Sequence, residues 1–219
     1  MTEQGTSNRV GVFGGSFDPI HNAHLEIAGA ALRLHELDRV IFVPARHQPH
    51  KPQAPCAPAE HRLAMIRLAI QAHPAFCVSE RELTRPGKSF TIDTIRELQE
   101  RLPAGTALLF IVGSDSVPEF PRWRSLEELA ERCLFVVAAR PGWPLEALDA
   151  LSSRLSPERV AAVKDAAIRT PAAPVSSTDI RARVAAGASI RGLVPDAVAD
   201  YIARNKLYSG RQGKYDNMV

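Results

Sequence analysis

Short apolar runs alternate with amphipathic stretches along most of the chain. Arg9-Val10-Gly11-Val12-Phe13 is the first run, and over 22–35 two apolar series follow, Leu25, Ala28, Leu32 and Ile27, Ala31, Leu34, spaced three and four apart. Continuous runs suit strands buried on both faces, and the three-four spacing suits a helix with one buried side. The same alternation predicts strands at 39–43, 75–79, 107–112 and 133–140. Between and after them it predicts helices at about 59–72, 91–102, 123–132, 145–152 and 157–167, with Thr91 or Ser89 near the N-cap of the second. A short strand near Ala173-Pro174-Val175 precedes two last helices, about 177–186 and 195–205. Gly187 stops the first of these, and Pro195 suits the first turn of the second.

Strands of this kind, each followed by a helix, predict an α/β fold with a doubly wound parallel sheet. Sites in such folds lie beyond the C-terminal strand ends. That places Phe13–His24, Pro44–Lys51, Gly113–Asp115 and Arg140–Gly142 on one rim. The stretch after Pro44, with Pro49, Pro52, Pro55 and Pro58, is too rich in proline for regular structure. The expected organisation is one domain over 9–208, with a small helical C-terminal appendage at about 176–208. Residues 1–8 and 209–219 read as flexible tails.

Composition narrows the partners. A net charge of +3 suits a phosphate-bearing small molecule, and the lack of a dense Lys/Arg block speaks against nucleic acid. Cys56, Cys77 and Cys133 lack CxxC spacing, which argues against a disulfide framework or a zinc site and for the reducing cytosol. With no apolar run near 18 residues and no leader pattern, the expectation is a soluble, cytoplasmic protein without membrane association. Nothing in the chain indicates an oligomeric state.

The densest chemistry lies in GVFGGSFDPIHNAH, residues 11–24. Gly14-Gly15 permits a sharp turn and close backbone approach to a ligand. His21 and His24 share a face at a helix start, where free N–H groups and the helix dipole already favour an anion. The segment lacks the GxGxxG of dinucleotide sites and the GK[ST] of P-loops. It reads as a phosphate cradle. VSSTDIRAR, residues 175–183, sets three hydroxyls ahead of Arg181 and Arg183; this suits a second anion site or an ordinary N-cap with a basic face.

GGSFDPIHNAH and VSSTDIR together resemble the two signature motifs of the HxGH/ISSTxxR nucleotidyltransferase superfamily. Between them, VPARHQPHK, HRLAMIRLAI, SFTIDTIREL, VGSDSVPEFPRW and VVAARPG are similar to bacterial nicotinate-mononucleotide adenylyltransferases, over roughly 9–208. The resemblance implies a Rossmann-like fold and adenylyl transfer from ATP, carried with Mg²⁺, to nicotinate mononucleotide, giving deamido-NAD and pyrophosphate in NAD biosynthesis. Carried over by motif, Gly14, Gly15, Ser16 and His24 would hold ATP phosphates, with His21 assisting. Ser177, Thr178 and Arg181 would grip the β/γ side. Gly113 and Asp115 would meet ribose, and Arg140 would lie near the adenosine. Lys51 would approach phosphate from a mobile loop, while Thr91 and Trp123 would border the nicotinate ring. Of these, Ser16, His21, His24 and Arg181 would be catalytic. Four positions depart from the family pattern: Ala23 for glycine, Ser16 for threonine, Val175 for isoleucine, and Arg124 where an aromatic often stands. The alternatives are the same chemistry on nicotinamide mononucleotide or pantetheine phosphate, or a nucleotide-binding regulator on this fold.

Overall fold

The computed structural model describes residues 8–46, 48, 55–140, 142–169 and 175–210. Six strands form one parallel sheet: β1 (Arg9–Gly15), β2 (Arg39–Pro44), β3 (Phe76–Val78), β4 (Ala107–Gly113), β5 (Cys133–Ala139) and β6 (Ile168–Arg169). Their order across the sheet is β3-β2-β1-β4-β5-β6. The order reverses between β1 and β4, which pair from Arg9↔Ala107 to Phe13↔Ile111. This is the Rossmann-like, doubly wound arrangement, and a crevice forms at the reversal.

Alternate residues of β1, β2, β4 and β5 feed two separate cores. Phe13, Phe42, Leu109, Ile111 and Val136 face one side, packed with α1 (Asn22–Leu34) and α2 (Ala59–Ile70). The two last helices, α7 (Ser177–Ala185) and α8 (Asp196–Arg204), add Ile180, Val198 and Ile202 to the same core. Val12, Val43, Phe110, Val112 and Val137 face the other side, covered by α4 (Thr91–Arg101), α5 (Leu126–Arg132) and α6 (Pro157–Asp165). Both faces are apolar, which is why the strands read as unbroken apolar runs.

Several expectations are corrected. A single turn, α3 (Arg81–Thr84), lies in the charged stretch before α4, where no helix was expected. The N-cap of α4 is Phe90 rather than Thr91 or Ser89, because the Ser89 hydroxyl is turned to accept from the Arg46 N–H at 3.1 Å. The helix expected from 123 begins at Leu126; a 3₁₀ helix occupies Ser114–Arg122, where Pro118 and Pro121 remove the donors that α geometry needs. Leu145–Ser153 is likewise 3₁₀, and Pro195 is the N-cap of α8 rather than part of its first turn. The last strand is Ile168–Arg169; Ala173 and Pro174, expected in it, lie outside the described residues.

Beneath the loop after β1 lies the largest fully buried side chain, Arg62 of α2. Its guanidinium donates to the carbonyls of Ser16 (2.8 Å), Ala45 (2.8 Å) and Ala57 (3.2 Å), joining three loop segments. Arg62→Met keeps the stem but strands those carbonyls, so the unfolding free energy should fall by about 3 kcal/mol. Urea titration of the two proteins measures this, and a loss below about 1 kcal/mol contradicts the bracing role.

Candidate active site

The crevice at the β1/β4 reversal opens into a cavity of about 970 Å³. Gly14, Gly15, Ser16, His21 and His24 line it from the β1–α1 side, and Gly113, Asp115 and Arg140 from the ends of β4 and β5. Ser177, Thr178 and Arg181 line it from the start of α7, and Thr91 and Trp123 from the α4 side. Every site residue expected from sequence lines this one cavity except Lys51, which lies outside the described residues.

Gly14 and Gly15 are the last residues of β1, and neither has a positive φ. The sharp turn expected there comes two residues later, at the buried Phe17, whose φ is 47°. Small size is what the glycines contribute. A Cβ at Gly14 would stand 2.9 Å from the Phe110 ring, and one at Gly15 would stand 3.0 Å from the Phe17 ring. The left-handed turn at Phe17 sends Asp18 inward, where it is 4% exposed.

Asp18 joins the two motifs. Its carboxylate accepts from the backbone N–H of Cys56 (2.7 Å) and Ala57 (3.0 Å), and from the Tyr208 hydroxyl (2.7 Å). Its backbone carbonyl accepts from Arg181 Nη1 at 2.8 Å, and the same nitrogen stands 3.8 Å from the carboxylate. Burial and the neighbouring Asp18 charge push the Tyr208 hydroxyl far above its ordinary pKa, so it serves as a donor. One residue on, the Pro19 carbonyl accepts from Ser177 Oγ at 2.9 Å. The Ser177 proton is thus engaged with protein. Ser176, the N-cap of α7, accepts from the Asp179 N–H at 3.1 Å.

His21 is the N-cap of α1 and His24 lies one turn in, their rings stacked with centroids 3.7 Å apart. The backbone N–H of His21 donates to His24 Nδ1 at 3.2 Å. An accepting ring nitrogen carries no proton, so neutral His24 holds its proton on Nε2 and can donate there. His21 Nδ1 is buried without a hydrogen-bond partner among the described residues. Burial, helped by the Arg140 cation, brings the His21 pKa down to about 4, so this imidazole is neutral at pH 7. Ala23, between them, is buried in the first turn of α1; ordinary helical backbone accommodates its methyl.

At the other end of the cavity, Trp123 packs against Phe120 (4.5 Å between centroids) and Phe110 (5.9 Å) and stays half-buried. Arg124 places its guanidinium 4.9 Å over the Phe90 ring, so a cation–π pair fills the place expected of an aromatic. Asp115 and Arg140 form an ion pair at the mouth. Glu82, also lining the cavity, is pushed above the ordinary carboxyl range by burial. Sequence reasoning assigned no role to Asp18, Arg62, Glu82 or Tyr208. Asp18 and Arg62 carried a signal in their places inside the GGSFDP and HRLAMIRLAI runs. No group of three or more His, Cys, Asp or Glu poised for a metal occurs among the described residues. No helix among them is long and apolar enough to cross a membrane.

The cytidylyltransferase-like family model matches residues 12–183. A Symbiobacterium thermophilum protein described as a probable nicotinate-nucleotide adenylyltransferase is 46% identical over 200 residues, 91% of this chain and 95% of its own length. A Thermus thermophilus protein of the same description is 43% identical, over 91% of this chain and 99% of its own. Among solved structures, Plasmodium falciparum nicotinic acid mononucleotide adenylyltransferase complexed with NaAD superposes with a TM-score of 0.70. That match covers 92% of this chain and 97% of the other at 20% identity, a likeness of fold.

The neutral state of His21 has a consequence in acid. With a folded pKa of about 4 against an ordinary 6.5, the unfolded chain takes up the proton first as pH falls. The associated stability is fully present above 6.5 and is lost progressively down to about 4, on the order of 3 kcal/mol in all. His21→Asn should flatten the unfolding free energy across that window in urea titrations at stepped pH, and equal slopes in both proteins contradict the assignment.

Proposed function

The chain belongs to the cytidylyltransferase-like family, among the nicotinate-nucleotide adenylyltransferases, and we propose on that footing that it transfers the adenylyl group of ATP to nicotinate mononucleotide. The products are deamido-NAD and pyrophosphate, a step of NAD biosynthesis. The observation that carries this reading is that both signature motifs, distant in sequence, line a single cavity and are hydrogen-bonded to each other through Asp18 and Pro19.

An oxygen of the mononucleotide 5′-phosphate forms a bond to the α-phosphorus of ATP. The bond from that phosphorus to the bridging oxygen breaks, and its electron pair leaves with pyrophosphate. No enzyme nucleophile is required, so the protein acts by positioning the reactants and by stabilising charge that moves onto phosphate oxygens. His24 Nε2–H is a fixed donor for this work, because its other nitrogen is occupied by the His21 N–H. The first N–H groups of α7, with the donors of Arg181 not spent on Asp18 and Thr178, form the second pole. Neutral His21 contributes shape and hydrogen bonding without a cation of its own. Gly14, Gly15 and Ser16 pass close beneath the phosphates, and Asp115 and Arg140 meet the ribose and adenosine side.

Mg²⁺ enters as part of the substrate, on triphosphate oxygens. The carboxylates nearest the motifs suit that arrangement: Asp18 is saturated by protein donors and Asp115 is paired with Arg140. At the pyridine end, Trp123 offers a half-buried face and Arg124 a cation. Phe90, the N-cap of α4, gives no side-chain hydrogen bond, which leaves the first N–H groups of α4 for a carboxylate. These features favour the acid over the amide mononucleotide. Cys56, Cys77 and Cys133 are all free thiols, which suits a cytosolic site of action.

Pyrophosphate release measured with MgATP and each mononucleotide tests this reading. Turnover should favour nicotinate mononucleotide by at least about tenfold in kcat/KM, and equal rates contradict it. His24→Ala should lower kcat by about 10²–10³ in a protein that still folds, because a donor to the transition state is lost; near-normal kcat contradicts the role given to His24.

A further inference from the structure

Glu82 belongs to neither signature motif, yet its surroundings are built. It sits in the single turn α3, is 8% exposed, and lines the cavity beside Ser89, Phe90 and Thr91. The Thr94 hydroxyl donates to its Oε1 at 2.6 Å, and Ser89 supplies a second side-chain hydrogen bond. Each donor is itself held. Ser89 Oγ accepts from the Arg46 N–H at 3.1 Å, and Thr94 Oγ1 accepts from Arg85 Nη1 at 3.3 Å. Arg85 is fixed in turn by Glu97, 2.7 Å away. One carboxyl group therefore joins three segments: the loop leaving β2, the turn α3 and both sides of the α4 start.

What this network fixes is the stretch from 89 to 94. Phe90 gives the α4 N-terminus no side-chain cap, so that terminus takes its place from its flanks, Ser89 before it and Thr94 within its first turn. Both flanks terminate on Glu82. Phe90 and Thr91 lie between these anchors and form the cavity wall facing Trp123, the end that the reading above gives to the pyridine ring. The triphosphate end is anchored through Asp18 and Arg62, and the two networks meet at the Ala45–Arg46 peptide, whose carbonyl accepts from Arg62 and whose N–H donates to Ser89.

Resting on the adenylyltransferase reading, we infer that Glu82 is a positioning residue for the mononucleotide end of the cavity, acting through Ser89 and Thr94 on the wall formed by Phe90 and Thr91. It sets the affinity for the acceptor and leaves that for MgATP unchanged. A role in folding alone would move both substrates together, or neither.

Steady-state kinetics of Glu82→Ala and Glu82→Gln, with each substrate varied in turn, tests this inference. Glu82→Ala should raise KM for nicotinate mononucleotide by about tenfold and leave KM for MgATP within about twofold. Glu82→Gln keeps an acceptor oxygen for Thr94 and should recover most of the loss. An unchanged acceptor KM in Glu82→Ala, equal rises for both substrates, or a glutamine variant as impaired as alanine each overturns the inference. Should Glu82→Ala fail to fold, Ser89→Ala cuts the links of residue 89 to Arg46 and Glu82, keeps that of Thr94 to Glu82, and should raise the acceptor KM about threefold, again without moving that of MgATP; no rise overturns the inference. Wild-type protein that releases no pyrophosphate with nicotinate mononucleotide would instead sink the underlying reading, so the two failures are distinct.

Discussion

The site depends on one buried carboxylate. Asp18 is taken out of water by the left-handed turn at Phe17, and an unpaired carboxylate there would be costly enough to unmake the loop. It is tolerated because donors arrive from two remote segments: Cys56 and Ala57 at the end of the proline-rich loop, and Tyr208 after α8. Arg62 adds its charge from below while tying Ser16 to Ala45 and Ala57. Ser16, Ala45 and Cys56 carry part of the cavity wall, and Tyr208 braces it from behind. Satisfying Asp18 therefore assembles the wall as well.

The same constraint accounts for the polarity of the site. Strand ends converge on the β1/β4 reversal and deliver backbone and side-chain donors there, while the carboxylates behind them are already engaged. Donor-bearing groups line the cavity there: His24, the start of α7 and Arg181. His21, held neutral by burial beside Arg140, keeps a second fixed cation out of this cluster. A cavity made in this way suits a polyanion that moves charge during reaction, which is what transfer of an adenylyl group between phosphates demands.

Much of this was legible in the chain. The apolar runs of β1, β2, β4 and β5 stand where their pattern puts them, because a parallel sheet buried on both faces leaves an unmistakable signal. The two motifs were legible as anion sites because they pair hydroxyls, glycines and basic groups with helix starts. The groups that bind the site together were not. Arg62 and Glu82 are charged residues in charged neighbourhoods, and on composition such residues read as solvated. Their burial is a property of the tertiary fold, visible only once Ser16, Ala45 and Ala57, or Ser89 and Thr94, are brought to them. Local chemistry misled at α4, where Ser89 and Thr91 both looked like caps and the structure uses Ser89 to hold Arg46 and Glu82 instead. A 3₁₀ helix with two prolines occupies 114–122, and the helix expected from about 123 starts at Leu126.

Hydrogen exchange on Asp18→Asn measures the coupling directly. Asparagine has the same shape but gives up one of the two acceptor oxygens, so the donors from the two segments can no longer all be satisfied. The account predicts that the Cys56 and Ala57 amides and those of 205–208 lose protection together, while the amides of β4 and β5 stay as in the wild type. Loss at one of the two segments with the other unchanged, or full protection at both, would contradict the claim that a single buried carboxylate holds both segments against the loop after β1.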